Sequence, residues 1–186
     1  MFTKPRPNSR EKRQPKPLNP VRLNDLALHY VARFATSAAK LADYLRRKLR
    51  ERGWDGEGDP EIPALVERFV AAGYIDDEAY ARAKSGSLLR RGYGQRRVNQ
   101  ALGAAGIAEE VREEVRAAPD AQRAAALAMA KKRRFGPYSA ETPDRNLRQK
   151  QLAAMLRAGH PMDLARAVLE ATSIDAAEDW AMEEVE

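Results

Sequence analysis

Residues 95–107 read Gln95-Arg96-Arg97-Val98-Asn99-Gln100-Ala101-Leu102-Gly103-Ala104-Ala105-Gly106-Ile107. Val98, Ala101, Leu102 and Ala105 recur at i, i+3, i+4 and i+7, the spacing of one buried stripe on a helix. Gly106 then closes the stripe. Glycine suits the left-handed position just past a helix end, where the residue after it packs against the residue four before it. That pairs Ile107 with Leu102.

The same stop signal recurs along the chain. Gly53, Gly106 and Gly159 are spaced by 53 residues, and each follows a predicted helix. The corresponding pairs are Trp54 with Leu49 and His160 with Met155, and Gly73 adds Tyr74 with Phe69. Between these stops lie further helical stripes. Leu23, Ala27, Tyr30, Val31 and Phe34 form one, and Leu41, Leu45 and Leu49 form the next, after a Thr36 or Ser37 cap. Pro63 opens a helix bearing Leu65, Val66, Phe69 and Val70. Asp76 or Asp77 caps a helix that runs to Arg91 and breaks at Gly92-Tyr93-Gly94. Pro119 opens another, which ends at Gly136-Pro137, and Thr142-Pro143 supplies the cap and first residue of the one after it.

Ala, Leu, Arg, Glu and Lys dominate, all of them good helix formers, and no stretch alternates apolar with polar residues over a strand's length. The expected fold class is therefore all-α: three tandem three-helix repeats forming an elongated body that stacking can curve. The expected limits are 1–21 for a disordered, basic, proline-rich arm, 22–75, 76–118 and 119–172 for three modules, and 173–186 for an acidic tail. A single compact bundle with coincidental glycines is the weaker alternative, given the shared helix endings.

The 186 residues contain no cysteine, which excludes disulfides, thiolate metal sites and cysteine nucleophiles. No apolar run is long enough to span a bilayer, and the first twenty residues lack the apolar segment of a secretory signal. The expectation is a cytoplasmic protein with no membrane partner. Net charge is +6 and unevenly placed: residues 1–20 hold six bases against one acid, and residues 170–186 hold seven acids and no base. A basic body between a basic arm and an acidic tail suits a polyanion partner. High charge also serves solubility, and composition does not separate the two. The tail would compete with such a partner for the basic faces.

No catalytic constellation is present, and the chain reads as a non-enzyme without cofactor or metal. His29 and His160 have no partner at metal-ligand spacing. Asp76-Asp77-Glu78 is explained by helix capping. Gly92-Tyr93-Gly94-Gln95 lacks the ending of a phosphate loop, and Ser85, Ser87 and Ser139 have no nucleophile-elbow surroundings. The basic residues say more. Arg90, Arg91, Arg96 and Arg97 flank one inter-helix turn with Tyr93 at its tip, which would present guanidinium forks beside an aromatic ring. Lys131, Lys132, Arg133 and Arg134 end one helix, and Arg46 and Arg47 lie on another. Bases at helix C-termini are favourable in any protein. Arg96 and Arg97 stand at a helix start, where they are not, so they carry the stronger functional reading.

Gly73-Tyr74-Ile75-Asp76-Asp77-Glu78-Ala79-Tyr80-Ala81 resembles the most recognisable stretch of the RecX family, a Gly, two apolar residues, an Asp pair, then an aromatic and Ala. Arg90 to Val98 resembles that family's basic, glycine-containing turn, and Ala101 to Ile107 its short helix ending in Gly-Ile. The match is strongest over residues 63–118. Lys84, Ser85 and Gly86 depart from a usually more apolar part of the helix, and Ala101 stands where an acidic residue is common. The resemblance implies tandem three-helix repeats, no enzymatic activity and no cofactor. It also implies a monomer that binds the RecA filament and regulates it, usually damping ATP hydrolysis, strand exchange and co-protease action. Contact with single- and double-stranded DNA would be weak and electrostatic. Two other readings stay open on the residues alone: a free-standing helix-turn-helix DNA-binding protein, and a helical scaffold that binds only proteins.

Overall fold

The computed structural model describes residues 16–183, and every regular element in that span is helical. The chain runs α1 (Pro20–Arg33), α2 (Ala38–Arg52), α3 (Ile62–Ala71), α4 (Asp77–Arg90), α5 (Gln95–Gly103), α6 (Glu109–Glu114) and α7 (Pro119–Arg133). A 3₁₀ turn at Gly136–Tyr138 follows, then α8 (Arg145–Arg157), α9 (Met162–Glu170) and α10 (Ile174–Met182).

Helix starts follow local chemistry. Asn19, Ser37, Asp76, Asp144 and Ser173 each accept a first-turn backbone N–H through the side chain, the usual way of satisfying donors that have no partner inside the helix. The start of α8 differs from the Thr142-Pro143 expectation. Asp144 Oδ1 takes the N–H of Leu147 at 2.7 Å, so the helix begins two residues later.

Buried side chains gather into three clusters. Leu23, Leu41, Leu45, Leu65 and Phe69 anchor the first, from α1–α3. Ala81, Leu88, Val98, Leu102 and Ile107 anchor the second, from α4 and α5 and the loop after them. Met129, Met155, Ala165 and Val168 anchor the third, from α7–α9, joined by Ala177 of α10. In the departure from the family pattern at Lys84–Gly86, Ser85 is buried and its hydroxyl donates to the Val115 carbonyl (3.4 Å), tying α4 to the end of α6.

Both ends of the chain differ from expectation where they are described. Residues 1–15 of the basic arm lie outside the described residues, but Lys16–Val21 are built into the first unit. Leu18 is fully buried, pairs with Trp54 in a short parallel bridge, and exchanges backbone hydrogen bonds with Gly53 and Asp55 (2.9 and 2.7 Å). One buried leucine among prolines and bases anchors a segment whose composition reads as unstructured. At the other end, the acidic stretch as far as Glu183 is mostly α10. Ala177 and Ala181 are buried against α7, and Trp180 packs on the third core. A charge count conceals the small apolar stripe that does this; residues 184–186 lie outside the described residues.

Adjacent units meet at the ends of their middle helices, and the second and third also where α4 lies against α7. The C-terminal end of α8 abuts the N-terminal end of α5: the N–H groups of Gly94 and Arg96 donate to the carbonyls of Ala158 and Gly159 at 3.0 and 3.2 Å. The C-terminal end of α5 in turn abuts the N-terminal end of α2, where Ser37 Oγ donates to the Ala105 carbonyl at 2.5 Å. Carbonyls left over at one helix end thus meet donors at the start of the next. Glycine makes the approach close enough. A Cβ on Gly106 would lie 2.2 Å from the Ala39 Cβ, and one on Gly159 would lie 2.4 Å from the Arg97 nitrogen. Gly53 holds the corresponding place in the first unit with φ +77°, and a Cβ there would meet nothing within 4 Å. The backbone paths also diverge. Tyr74, Ile107 and His160 each donate to the carbonyl five residues back, whereas Trp54 turns away to pair with Leu18.

Gly53→Ala and Gly106→Ala therefore separate two costs. Both force alanine to a positive φ (+77° and +70°), a strain of about 1–3 kcal/mol each, but only the second also drives a methyl into a neighbouring helix. Urea unfolding is expected to show Gly106→Ala the more destabilised by at least about 1 kcal/mol, within the usual cost of overpacking.

Candidate nucleic-acid interface

The basic residues picked out by sequence occupy three places. The α4–α5 turn is not a free tip. Gly92 and Gly94 are buried, and Tyr93 is half-buried against the second core. Gly92 touches the backbone of Met129 on α7 so closely that a Cβ would lie 2.9 Å from it. The turn is the socket into which the third unit fits.

Around that socket the cations divide by role. The Arg96 guanidinium donates to the Leu156 carbonyl at the C-terminal end of α8 (2.5 Å). Its place at the start of α5, unfavourable within that helix, is offset by the negative end of another helix. Arg97 is exposed, with its side chain reaching Gln100 at 3.4 Å. Arg90 and Arg91 are exposed, and the Arg91 guanidinium lies 5.5 Å from the Tyr93 ring centre. The Gly92–Met129 contact sets this pair one helical turn from Lys132 and Arg133, both exposed on α7. Arg134 is exposed as well, in a left-handed conformation that ends the helix. The fold thereby brings the backbone stretches that carry Arg90 and Arg91, and Lys132 and Arg133, near one another at the second joint.

Lys131 is engaged differently. Its ammonium pairs with Glu178 of α10 at 2.7 Å and lies 5.9 Å from the Tyr138 ring centre. The shared hydrogen bond raises the lysine pKa and lowers the glutamate's, so each holds the other in its charged form. Arg46 and Arg47 are not part of this group. They lie on α2 roughly 14 Å along the helix from the Ser37 joint, paired with Asp43 (3.0 Å) and Glu51 (3.7 Å).

Several joint residues were legible as types but not in role. Asp76 caps its own helix, whereas Asp77 reaches across to the Ala38 N–H at the start of α2 (2.9 Å). Tyr80 receives a hydrogen bond from Lys40 Nζ at 2.8 Å. The Asp-Asp-Glu-Ala-Tyr stretch is thus a clasp between the first two units. His160 is buried, with its Nε2–H aimed at the Gly92 carbonyl (3.0 Å). It is a joint residue, whereas its place after a helix-ending glycine points only to packing on Met155. Burial lowers its pKa from the ordinary histidine value, partly opposed by the Gly92 hydrogen bond. Among the described residues, no group of three or more acidic or histidine side chains is placed to hold a metal ion. Within the same span, no helix is long and apolar enough to cross a membrane.

Residues 76–115 match the model of the RecX second three-helix domain. A regulatory protein RecX from Myxococcus xanthus is 33% identical over 168 residues, covering 85% of this chain and 89% of that protein. The chain belongs to the RecX family. The Agrobacterium fabrum regulatory protein RecX is similar too, 32% identical over 154 residues and covering 83% of its length. The crystal structure of RecX from Lactobacillus salivarius superposes with a TM-score of 0.64 at 19% identity, over 83% of this chain and 96% of that one. A second RecX crystal structure gives 0.62 at 20% identity, over 81% of this chain and 70% of that one. These two likenesses establish the all-α repeat fold, and the sequence relatives establish the family, one of regulatory proteins. The RecX motif at Asp76–Tyr80 is the clasp, and the basic glycine turn at Arg90–Val98 is the socket. Both resembled stretches are where the units join.

The depressed His160 pKa makes the second joint sensitive to acid. The unfolded chain binds this proton more readily than the folded one. The stabilisation is therefore complete above the unfolded value of about 6.5 and declines as pH falls below it. His160→Gln keeps a donor for Gly92 but does not titrate, so it is expected to flatten the loss of thermal stability between neutral and acidic pH relative to the unchanged protein.

Proposed function

We propose that this protein binds RecA and its DNA filament and modulates it, in the inhibitory direction, restraining recombinase, ATPase and co-protease activity in DNA repair and the SOS response. The observation that carries this reading is family membership across nearly the whole length of a regulatory relative. The body supports it: three joined units carry exposed cations in separate places, at the second joint and on α2. Such a body would contact successive subunits and phosphates along a groove, and linked weak contacts gain from effective concentration. The reading needs no catalytic group, cofactor or membrane, and places the protein in the cytoplasm as a monomer.

The helix-turn-helix alternative is disfavoured by one contact. A recognition helix presents its N-terminal residues to base edges, but the N-terminal end of α5 is occupied by the end of α8. The acidic segment retains a role in the proposal, narrowed to one pair: Glu178 holds Lys131 away from phosphate.

RecA-catalysed ATP hydrolysis on single-stranded DNA, titrated with this protein, tests the reading. Inhibition well below one copy per RecA is the expected result. An effect only once the DNA itself is saturated would instead mean simple competition for DNA. For the narrower claim, Glu178→Gln frees Lys131 without removing the α10 residues that pack the third core. It is expected to tighten DNA binding and steepen its salt dependence by about 0.7–0.9 in log–log slope, one added phosphate contact; an unchanged slope would sink the masking role.

A further inference from the structure

The first unit carries a surface that neither the joints nor the family motifs use. Tyr30 of α1 stacks on Tyr44 of α2, ring centres 4.2 Å apart and planes 16° from parallel. Phe34 continues the row, 5.4 Å from Tyr30. Three cations sit against these rings. The Arg33 guanidinium is 5.7 Å from the Phe34 centre, and Arg47 and Lys48 are 5.6 and 5.9 Å from Tyr44. The two tyrosines are half-buried against the first core, which accounts for them as packing. Phe34 is not so accounted for. It stands at the C-cap of α1 with 52% of its surface exposed.

Charge indicates what would cover it. Helix α2 holds six bases against two acids, and its ion pairs with Asp43 and Glu51 are surface pairs that yield readily to another anion. The backbone enters the first unit at the far end of the same helix, where Arg52 Nε holds the Lys16 carbonyl at 3.0 Å. Residues 1–15, attached there, carry five more bases against one acid. Rings and arginines also occur at protein interfaces, where an apolar partner surface would cover the rings. A row of rings edged by guanidinium and ammonium groups is instead the arrangement that takes unpaired bases on ring faces and phosphates on cations. A duplex cannot use it, because its base faces are already stacked.

We propose that the α1–α2 face of the first unit is a binding site for single-stranded nucleic acid, with Phe34 stacking on a base while Arg33, Arg47 and Lys48 hold the adjoining phosphates. The proposal extends the DNA half of the reading above and does not depend on RecA.

The test uses the full chain, with fluorescence anisotropy of labelled oligothymidylate and of an abasic oligomer of equal length and charge. The unchanged protein is expected to prefer the base-bearing strand. Phe34→Ala is expected to bind it at least about fivefold more weakly, the low end of the loss for one stacked base, and to lose most of the preference. Its urea midpoint is expected to stay unchanged, since the ring is half open. Arg47→Gln, an exposed position, keeps the preference but flattens the log–log salt dependence by about 0.7. Equal affinity for the two oligomers, or a Phe34→Ala protein that binds oligothymidylate as before, overturns the proposal. If that variant kept its DNA affinity yet lost RecA inhibition, the face would belong to a protein partner. Because the binding assay contains no RecA, its failure is distinct from failure of the RecA reading.

Discussion

The structure depends on one repeated constraint: the end of one unit's middle helix must seat against the start of the middle helix before it in sequence. Three small units with separate apolar clusters have little reason to hold a fixed arrangement, since most of the burial lies within each unit. What fixes them, beside the packing of α4 on α7 at the second joint, is polar. Leftover carbonyls at the ends of α8 and α5 are met by leftover donors or hydroxyls at the starts of α5 and α2. Each such group, if buried without a partner, would be costly. The contact satisfies both ends at once and tolerates no side chain at Gly106 or Gly159. Asp77, Tyr80, Arg96 and His160 reinforce the same joints from the side.

Much of this is legible in the sequence. The glycine spacing, the apolar stripes and the capping residues point to helices in the right places, because these are local effects in which a residue acts on its own turn of helix. What could not be read was any contact made across units. Asp76 and Asp77 are chemically equivalent neighbours, and nothing in their sequence context says that one caps its own helix and the other a helix 39 residues earlier. Leu18 was lost among prolines and bases because its partner, Trp54, is remote in the chain. The acidic end is obscured for the opposite reason: its charges are conspicuous, and the alanines that dock it are not.

The basic residues show the same division. Their exposure follows from their type, and the stretches that carry Arg90, Arg91, Lys132 and Arg133 run near the second joint. Arg96, which carried the stronger functional reading because it stands at a helix start, has a structural explanation in the carbonyl it caps on α8. The aromatic row on α1 and α2 is hidden in the sequence for a related reason. Tyr30 and Phe34 fit an apolar stripe, and periodicity cannot say that the stripe runs past the edge of the core, leaving its last ring in solvent.

The joints also have a sense. Peptide dipoles in α8, α5 and α2 follow one another head to tail, so their partial charges cancel at the two junctions and survive only at the outer ends. The positive pole lies at Asp144 and the negative pole at Gly53. The molecule is in this respect an arrow rather than a rod. Nucleic-acid strands, and filaments assembled on them, are arrows too. Laid along such a track, the body would have a forward and a reverse orientation of different energy, and its two ends would face different neighbours.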